Sequence, residues 1–383
     1  MAPMLKMVFW ISVGSLIYIY LGYPFIVYLF NHFSRNEVKK APFLPDVTIV
    51  ISAYNEEHHI GDTLANKLSM DYPREKVEII VVSDDSTDRT DAIVKGFEGE
   101  GVRLLRQEPR GGKTSALNMA IGEAGGEIIV FSDANSLYAT DALRHLTANF
   151  ADDAVGYVTG KLIYGKADGS TMGDGCSRYM RYENKLREAE TGIGSIVGVN
   201  GGIDAVRKHL YEPMSPDQIP DFVLPLKVVE KGFRVVYEPD AILREDALKQ
   251  SSDEYRMRVR VALRSLYAIL DMNHLMNPLK YGFFAWQFFS HKTMRYLAFI
   301  PLLIAYACSL ALIGQGWVYL AAFTAQTVLY LLALAGWFAA KANRESGFLY
   351  APFYFCLLNV ASADAFFKVL QGKQQVIWNP RKG

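Results

Sequence analysis

Four short apolar runs within residues 47–131 are each followed by a polar cluster, and helical stretches separate the runs. They cover residues 47–52, 77–82, 102–105 and 127–131 and are rich in β-branched side chains, as is typical of strands buried on both faces. In an open α/β sheet, ligand-binding groups gather at the carboxyl ends of the strands. The pattern therefore predicts a βαβα array with a nucleotide site along one edge of a sheet.

The polar clusters contain residue types that suit a phosphate-bearing ligand. They are Tyr54-Asn55-Glu56, Asp84-Asp85-Ser86, Gly111-Gly112-Lys113 and Asp133-Ala134-Asn135. Lys113 follows two glycines and is predicted to open a helix, where backbone N–H groups and the helix dipole favour anions. Asp84 is better explained as a turn residue, a common use of Asp, whereas Asp85 is the better candidate for a ligand contact.

The composition excludes two broad classes of protein. The chain has 383 residues, of which 51% are hydrophobic, and it carries 40 basic and 40 acidic residues. It is too apolar for a disordered chain and lacks the basic excess of a dedicated nucleic-acid binder. Its three cysteines have none of the spacings of zinc sites or redox pairs. We therefore expect no nucleic-acid partner.

The apolar residues concentrate at both ends of the chain. Residues 5–30 and 294–370 hold few charges, and about 20 helical residues cross a hydrocarbon core of about 30 Å. One span is predicted at the N-terminus and three at the C-terminus, over Met294–Ile313, Trp317–Ala340 and Phe348–Leu370. No small-residue cleavage site follows Phe30, so the first span is predicted to be a retained anchor rather than a signal peptide.

Charges beside the spans predict the membrane topology. His32, Arg35, Lys39 and Lys40 directly follow the first span, so the positive-inside rule places the N-terminus outside and the central domain in the cytoplasm. The loop with Lys341, Asn343 and Arg344 is predicted to be cytoplasmic, and the tail with Lys373, Arg381 and Lys382 also favours the inside. Four full crossings cannot satisfy both, which leaves the side of the C-terminus open.

The domain boundaries follow from these segments. We expect an N-terminal transmembrane anchor over residues 1–40 and a cytoplasmic domain over residues 41–250. Amphipathic interface helices over residues 251–293 and a C-terminal transmembrane bundle with a short tail over residues 294–383 complete the chain.

The ordered set of motifs resembles the membrane-integrated family 2 glycosyltransferases, which include cellulose, hyaluronan and poly-N-acetylglucosamine synthases. Any one motif would be weak, but the order is specific and the resemblance spans almost the whole chain. It rests on the four polar clusters and on Gly198-Val199-Asn200-Gly201-Gly202, Asp221 and the arginine-rich stretch from Arg256. The implied fold class is α/β, a nucleotide-sugar-binding GT-A-like domain with a mixed, mostly parallel sheet, flanked by transmembrane helices.

The resemblance also implies roles for individual residues. Asp221 corresponds to the catalytic general base, and Asn200, Gly201 and Gly202 to the acceptor-binding loop. Asp133 and Asn135 stand where the family carries its metal motif, so Mg²⁺ or Mn²⁺ is the expected cofactor. The residues expected to bind the nucleotide sugar are Tyr54, Glu56, Asp85, Lys113, Asp133, Arg258 and Arg260.

Three positions carry a departure or a competing explanation. Asn135 offers a neutral oxygen where the family has a carboxylate, which weakens the expected grip on a metal. Val261 replaces the Trp that would stack on the acceptor sugar in the processive enzymes, which favours short products. Asp221 precedes an apolar helical run and could equally be its N-cap. The other arginines of the stretch, Arg256 and Arg264, are explained as a headgroup-facing surface of an interfacial helix.

The predicted function is inverting transfer of a sugar from a nucleotide-diphosphate donor, with UDP favoured, to a glycan or lipid-linked acceptor at the plasma or inner membrane. Such an enzyme would serve cell-surface or extracellular polysaccharide synthesis, with membrane lipids and accessory export subunits as further partners. A processive synthase that secretes its polymer is the runner-up, and a catalytically inactive membrane scaffold is the alternative of another class. A dinucleotide dehydrogenase is excluded because no Gly-x-Gly-x-x-Gly follows the first strand.

Overall fold

A computed structural model describes residues 2–165, 174–246, 251–342 and 347–373. Two compact units divide these residues. The sheet unit comprises residues 30–165 and 183–246, and the helical unit comprises residues 2–29, 174–182, 251–342 and 347–373. The predicted domain boundary at residue 250, the loop residues Asn343 and Arg344 and the tail residues Arg381 and Lys382 lie outside the described residues.

One eight-stranded sheet forms the core of the sheet unit. Its strand order is β3-β2-β1-β4-β7-β6-β8-β5. The strands are β1 Val47–Ala53, β2 Val77–Asp84, β3 Val102–Gln107, β4 Ile128–Asp133, β5 Leu137–Tyr138, β6 Val155–Gly165, β7 Asp204–Arg207 and β8 Arg234–Asp246. The pairs β3–β2, β2–β1, β1–β4 and β6–β8 are parallel, and β4–β7, β7–β6 and β8–β5 are antiparallel. This arrangement confirms the predicted mixed, mostly parallel sheet.

Helices precede the first strand, alternate with the strands and follow the last strand along the chain. They are α1 Ala2–Ile17, α2 Tyr23–Phe33, α3 Ile60–Leu68, α4 Thr90–Lys95, α5 Lys113–Glu123, α6 Ala142–Ala148, α7 Asp174–Ile193, α8 Pro220–Glu230, α9 Ser251–Asp271, α10 Pro278–Gln287, α11 Met294–Tyr296, α12 Phe299–Ala311, α13 Trp317–Lys341 and α14 Gly347–Leu370. Helices α3 to α6 and α8 belong to the sheet unit, and α9 to α14 belong to the helical unit.

The register of the sheet brings the predicted polar clusters to one edge. The central strand β1 is flanked by β2 and β4, with Ala53 opposite Ser83 and Ser52 opposite Asp133. Ile49, Val50 and Ile51 in the middle of β1 are fully buried, as expected for a strand covered on both faces. The polar residues that follow β1, β2 and β4 therefore emerge side by side.

Among the described residues, three helices are long and apolar enough to cross a membrane. They are the continuous helix Ala2–Phe33, with a π-helical turn at Tyr18–Gly22, and the helices α13 and α14. A fourth segment is broken, because Pro278–Tyr296 and Phe299–Ala311 meet at an angle of 58°. The predicted span Met294–Ile313 is thus not one continuous helix: it is interrupted between α11 and α12, and α12 has 13 residues.

Candidate functional site

Lys113 lies between two carboxylates that the sequence singled out. Its Nζ is 2.7 Å from Oδ1 of Asp133 and 3.5 Å from Oδ1 of Asp221. Burial opposes the charged form of the lysine, but the negative charges of Asp133 and Asp221 outweigh this effect and raise the pKa of Lys113 above its ordinary value. All three side chains remain partly exposed, so a ligand can reach them.

Each of these side chains stands at the end of an element. Asp133 is the last residue of β4, Lys113 the first residue of α5, and Asp221 lies in the first turn of α8. Pro220 suits the start of that helix because its fixed φ matches helical geometry and its missing N–H is not needed there. The N-cap is Ile219, whose side chain makes no capping hydrogen bond, and Asp221 is the second residue of the helix. The alternative in which Asp221 is an N-cap is therefore wrong.

The turn that presents Lys113 is held by Asp84. The Asp84 carboxylate accepts hydrogen bonds from the backbone N–H of Gly111 at 2.8 Å and of Gly112 at 3.0 Å, and from the Gln107 side-chain amide at 2.5 Å. Gly112 has a φ of 85°, a conformation that other residues rarely adopt. Asp84 is buried and has a structural role, as its interpretation as a turn residue predicted.

Gly201 and Gly202 lie against the two aspartates. A Cβ atom added to Gly201 would lie 2.5 Å from Oδ2 of Asp221, and one added to Gly202 would lie 3.3 Å from Oδ2 of Asp133. Gly202 also has a φ of 88°. The glycines therefore leave room for the carboxylates themselves. The preceding Asn200 is buried, and its side-chain amide donates to the carbonyl oxygen of Gly160 at 2.9 Å, which fixes the start of this loop.

Asp204 was missed by the reasoning from sequence. It lies on β7, opposite Phe131 of β4 and Thr159 of β6, and its side chain is fully buried. No hydrogen bond of normal geometry reaches either carboxylate oxygen from the described residues. Burial, reinforced by the charge of Asp221, raises the pKa of Asp204 well above its ordinary value. The only signal in the sequence was a charged residue within an apolar strand.

A cluster of buried polar side chains supports the turn just after Asp133. The Ser136 hydroxyl donates to Glu245 at 2.8 Å, and the Ser136 carbonyl accepts from Lys67 Nζ at 2.6 Å. The Lys67 ammonium also lies 3.4 Å from the centre of the Tyr138 ring, and burial holds the pKa of Lys67 well below its usual range. These contacts fix the turn after β4, and neither Lys67 nor Glu245 was anticipated from the sequence.

The predicted nucleoside pocket lies on the loops after β1 and β2. Asn55 and Asp85 both have positive φ values, 54° and 60°, an uncommon conformation in which Asn and Asp are enriched. The guanidinium of Arg110 lies 3.5 Å from the centre of the Tyr54 ring. A base that stacks on this face of Tyr54 must displace Arg110. Asp85 is half-exposed and pairs with Arg106 at 3.3 Å.

Hydrogen bonds tie these two loops together. The Asn55 N–H donates to the Ser86 hydroxyl at 3.1 Å, and the Glu56 N–H donates to the Thr90 hydroxyl at 2.8 Å. The Asn55 side chain accepts from the Thr87 N–H at 2.8 Å. The position of Asn55 is therefore fixed by its backbone and its side chain, and that of Glu56 by its backbone.

Arg258 and Arg260 belong to the helical unit, on α9. Arg258 forms an ion pair with Glu254 at 2.7 Å and donates to the Tyr354 hydroxyl at 2.7 Å. Lys113, Asp133 and Asp221 belong to the sheet unit.

The site is rich in oxygen ligands. Asp133 and Asp221 flank the ammonium of Lys113, and Asn135 lies half-buried in the turn after β4. Hard divalent cations prefer such oxygen ligands, so these residues fit a divalent metal. Elsewhere in the sheet unit His145, Glu238 and Asp240 also lie close enough to ligate an ion. Glu238, however, is already paired with Lys40 at 2.6 Å and with Asn149 at 2.6 Å.

Comparisons with known proteins agree with this arrangement. A family model described as glycosyl transferase family 2 matches residues 48–206. A beta-monoglucosyldiacylglycerol synthase from Nostoc sp. is 30% identical over 173 residues, which cover 44% of this chain and 37% of the relative. A poly-beta-1,6-N-acetyl-D-glucosamine synthase from Staphylococcus aureus is 28% identical over 253 residues, which cover 63% of this chain and 58% of the relative.

The chain thus spans less than two thirds of the length of these relatives. Among solved structures, a mannosyltransferase from Pyrobaculum calidifontis, in complex with GDP-Man and Mn²⁺, superposes with a TM-score of 0.71 at 24% identity. The match covers 96% of this chain and 99% of the mannosyltransferase, and it confirms the GT-A-like fold class. Residues 48–206 of this chain form a family 2 glycosyltransferase domain.

Proposed function

We propose that the protein transfers a sugar from a nucleoside diphosphate donor to an acceptor hydroxyl, with inversion at the anomeric carbon. The observation that carries this proposal is the placement of Lys113 between Asp133 and Asp221, at the carboxyl edge of the sheet in a family 2 domain. A diphosphate leaving group needs fixed positive charge, and an incoming hydroxyl needs a base. Lys113 and Asp221 supply these two groups within one site.

Asp221 is proposed to act as the general base. Its carboxylate oxygen lies 3.5 Å from the Lys113 ammonium, and a carboxylate can accept the proton that the acceptor hydroxyl must lose. Gly201 leaves room for the Asp221 carboxylate beside its loop, and Lys113 lies 3.5 Å from that carboxylate, so its position is set before the acceptor arrives. Such preorganisation lowers the barrier because little reorientation remains at the moment of reaction.

Asp133 and Asn135 are proposed to hold the divalent cation, and Asp133 also holds Lys113. A bound Mg²⁺ or Mn²⁺ would neutralise charge on the diphosphate of the donor. The solved mannosyltransferase of the same fold is described in complex with Mn²⁺, which supports this assignment. Activity should be lost in excess chelator and return when either cation is added.

Tyr54, Glu56 and Asp85 are proposed to bind the nucleoside, with Lys113, Arg258 and Arg260 on the diphosphate. We favour a uridine nucleotide as the donor. Because the solved mannosyltransferase is in complex with GDP-Man, a guanosine nucleotide is the alternative donor to test against it. Incubating membranes that contain the protein with UDP- and GDP-sugars, and measuring release of the nucleoside diphosphate, identifies the donor.

The base is tested by Asp221→Asn. We expect transfer to fall about 10²- to 10⁴-fold while donor affinity stays close to that of the wild type, because the amide keeps the shape of the carboxylate. Asp153→Asn, at an exposed position of the same unit, is the matched control and should keep full activity. Near-normal turnover by Asp221→Asn would remove Asp221 from this role.

The acceptor is proposed to be a glycan or a lipid-linked sugar. The curated relatives are named as makers of a glycolipid and of a polysaccharide, which supports both classes. Val261 stands where a stacking Trp would hold a growing chain, and an aromatic face adds on the order of 1 kcal/mol. We therefore propose short products. Sizing the product at a low enzyme-to-acceptor ratio tests this, since long chains beside untouched acceptor would show processive synthesis instead.

A further inference from the structure

A group of three metal-binding side chains in the sheet unit has no part in the proposed glycosyl transfer. His145 of α6 and Glu238 and Asp240 of β8 each offer one ligand atom, and these atoms all lie within 4.8 Å of one another. Glu238 is buried, His145 is half-buried and Asp240 is exposed. The group therefore reaches from the interior to the solvent, from which an ion can enter it.

An irregularity of β8 brings the two acids of this group together. The register between β6 and β8 pairs Thr159 with Tyr237 and Lys161 with Ile242. Residues 238–241 therefore bulge from β8 opposite a single residue of β6. Bulges of this kind redirect side chains and occur often beside functional sites. The bulge places both acids next to the last turn of α6, on which His145 lies.

Glu238 keeps a position for an ion although it already has protein partners. A carboxylate has about four lone-pair positions. The Oε2 atom accepts from Lys40 Nζ at 2.6 Å and from Asn149 Nδ2 at 2.6 Å, whereas the Oε1 atom accepts from the Asp240 N–H at 3.3 Å. These contacts leave one position of Oε1 unused by the described residues. Hydrogen bonds of this kind commonly surround a carboxylate that ligates a metal, and they hold it in place.

The side chain of Asn149 gives an independent indication of a ligand. Asn149 is fully buried, and its Nδ2 donates to the carbonyl oxygen of His145 at 2.8 Å as well as to Glu238. Because both partners are acceptors, the orientation of the amide is fixed. Its Oδ1 atom is buried and accepts no hydrogen bond from the described residues, which is uncommon and calls for a water molecule or an ion. A water molecule on an ion held by Glu238 would donate to Oδ1.

The charges and the ligand types favour zinc. Glu238, Asp240 and Asp141, which lies 3.3 Å from Nε2 of His145, carry three negative charges, and Lys40 carries one positive charge. A divalent cation balances the remaining two. One imidazole, two carboxylates and a water molecule are ligands typical of Zn²⁺, whereas Mg²⁺ and Ca²⁺ prefer oxygen alone. When Nδ1 of His145 binds the ion, Asp141 accepts the Nε2–H and orients the ring.

We propose that His145, Glu238 and Asp240 form a binding site for one Zn²⁺ ion, with Lys40, Asn149 and Asp141 as hydrogen-bonding partners of the ligands. Bonds of about 2.0–2.2 Å require the exposed Asp240 and the half-buried His145 to close on Glu238. The bound ion would join the end of α6 to the bulge of β8. The inference rests on this group alone and is independent of glycosyl transfer.

The test uses the full chain, purified in detergent and freed of metal with a chelator that is then removed. Dialysis against micromolar Zn²⁺ in excess Mg²⁺, followed by metal analysis, counts the bound Zn²⁺, while Mg²⁺ competes for sites made of oxygen ligands alone. We expect one bound Zn²⁺ and a higher melting temperature, because an ion that binds only the folded protein stabilises it. With Cu²⁺ in place of Zn²⁺, electron paramagnetic resonance should show one ligating imidazole nitrogen, which the cation site proposed at Asp133 and Asn135 does not offer.

His145→Ala and Asp240→Asn should each lower the affinity for Zn²⁺ at least about 100-fold, because even the outer partners of a ligand contribute about 10- to 100-fold. His145→Ala should also remove the nitrogen signal. His59→Ala and Asp153→Asn, at exposed positions of the same unit, are the matched controls and should bind Zn²⁺ as the wild type does. Equal melting temperatures of the metal-free proteins show that the fold is kept. A wild type that binds no Zn²⁺, or unchanged binding by His145→Ala, would overturn the proposal.

Discussion

At the scale of single residues, the candidate site holds more carboxyl groups than cations. Lys113 neutralises Asp133 and Asp221 only in part, and the buried Asp204 adds a third acid nearby. Two of these acids remain partly exposed, whereas Asp204 is fully buried. Burial disfavours the charged form of an acid, and together with the charge of Asp221 it raises the pKa of Asp204 well above its ordinary value.

The raised pKa of Asp204 gives a prediction about pH and stability. A raised pKa means that the folded protein keeps this proton to a higher pH than the unfolded chain. The contribution of Asp204 to the free energy of unfolding is complete below the pKa of Asp in the unfolded chain, about 3.9. It is lost as the pH rises through the raised pKa of the folded protein. In Asp204→Asn that loss is absent, because an amide does not titrate. The melting temperature of the variant relative to the wild type should therefore rise between pH 5 and pH 8.5.

This measurement is made on detergent-solubilised protein in the presence of a chelator, so that no metal competes with the proton. Asp153→Asn, at an exposed position, is the control and should show the same difference from the wild type at every pH. A pH-independent difference for Asp204→Asn would mean that Asp204 is ionised in the folded protein.

The contact between Gly201 and Asp221 gives a prediction about geometry. Gly201→Ala would place a methyl group 2.5 Å from Oδ2 of Asp221, and the carboxylate must then move. A displacement of about 1 Å can lower a rate about 10²-fold, so transfer should fall by roughly that factor with little change in donor affinity. Gly194→Ala is the control, because nothing lies within 4 Å of its added Cβ atom. Equal rates for the two variants would contradict the assignment.

Among the elements, the end of β2 carries two adjacent acids with different roles, one of which holds the turn between β3 and α5. Asp84 is buried and binds the N–H groups of Gly111 and Gly112, whereas Asp85 is half-exposed with a φ of 60°. Asp84→Asn should lower the stability by roughly 1–3 kcal/mol, because one of the two acceptor oxygens becomes an NH₂ group that faces donors and the remaining hydrogen bonds lose the negative charge. Asp85→Asn should leave stability close to that of the wild type and weaken nucleotide binding.

Thermal unfolding and nucleotide titration of both variants check this contrast. The expected pattern is a lower melting temperature for Asp84→Asn alone and weaker nucleotide binding with normal stability for Asp85→Asn. An unchanged melting temperature in Asp84→Asn would show that Asp84 does not hold the turn.

The elements differ in how far the sequence could predict them. Strands β1 to β4 are apolar and bounded by polar clusters, so their pattern is visible locally. Strands β5, β6 and β8 were not foreseen. Strand β5 has only two residues, and β6 and β8 pair with each other across about 80 residues of sequence, a contact that local pattern does not contain.

The candidate site shows the same limit. Asp133, Lys113 and Asp221 follow recognisable elements, so their position at the sheet edge could be anticipated. Asp204 could not, since its charge predicts an exposed residue and only the tertiary fold buries it. The N-cap alternative for Asp221 failed because helix α8 begins one residue earlier, with Pro220 inside it. Element boundaries are the least certain part of such inference.

At the scale of the whole molecule, the cations after Phe30 motivate a topology with the catalytic domain in the cytoplasm. Protease added outside intact cells should then spare residues 41 to 270. Permeabilised cells are the control and should show cleavage of the same region, which establishes that the protease can reach and cut it. Cleavage within residues 41 to 270 in intact cells would reverse the proposed orientation.

The 58° break ahead of α12 gives two membrane topologies for the C-terminal helices, because the broken pair either crosses the membrane or turns back to the side on which it entered. Helix α14 lies between Lys341 and Lys373, so a spanning α14 always puts these two cations on opposite faces of the membrane. If the catalytic domain is cytoplasmic and the broken pair crosses the membrane, Lys341 lies on the cytoplasmic face and Lys373 outside. If the broken pair instead returns to the cytoplasmic side, Lys341 lies outside and Lys373 on the cytoplasmic face. A single interruption of a helix thus selects between two inverted insertions of α13 and α14, and only one of the two cations obeys the positive-inside rule in either.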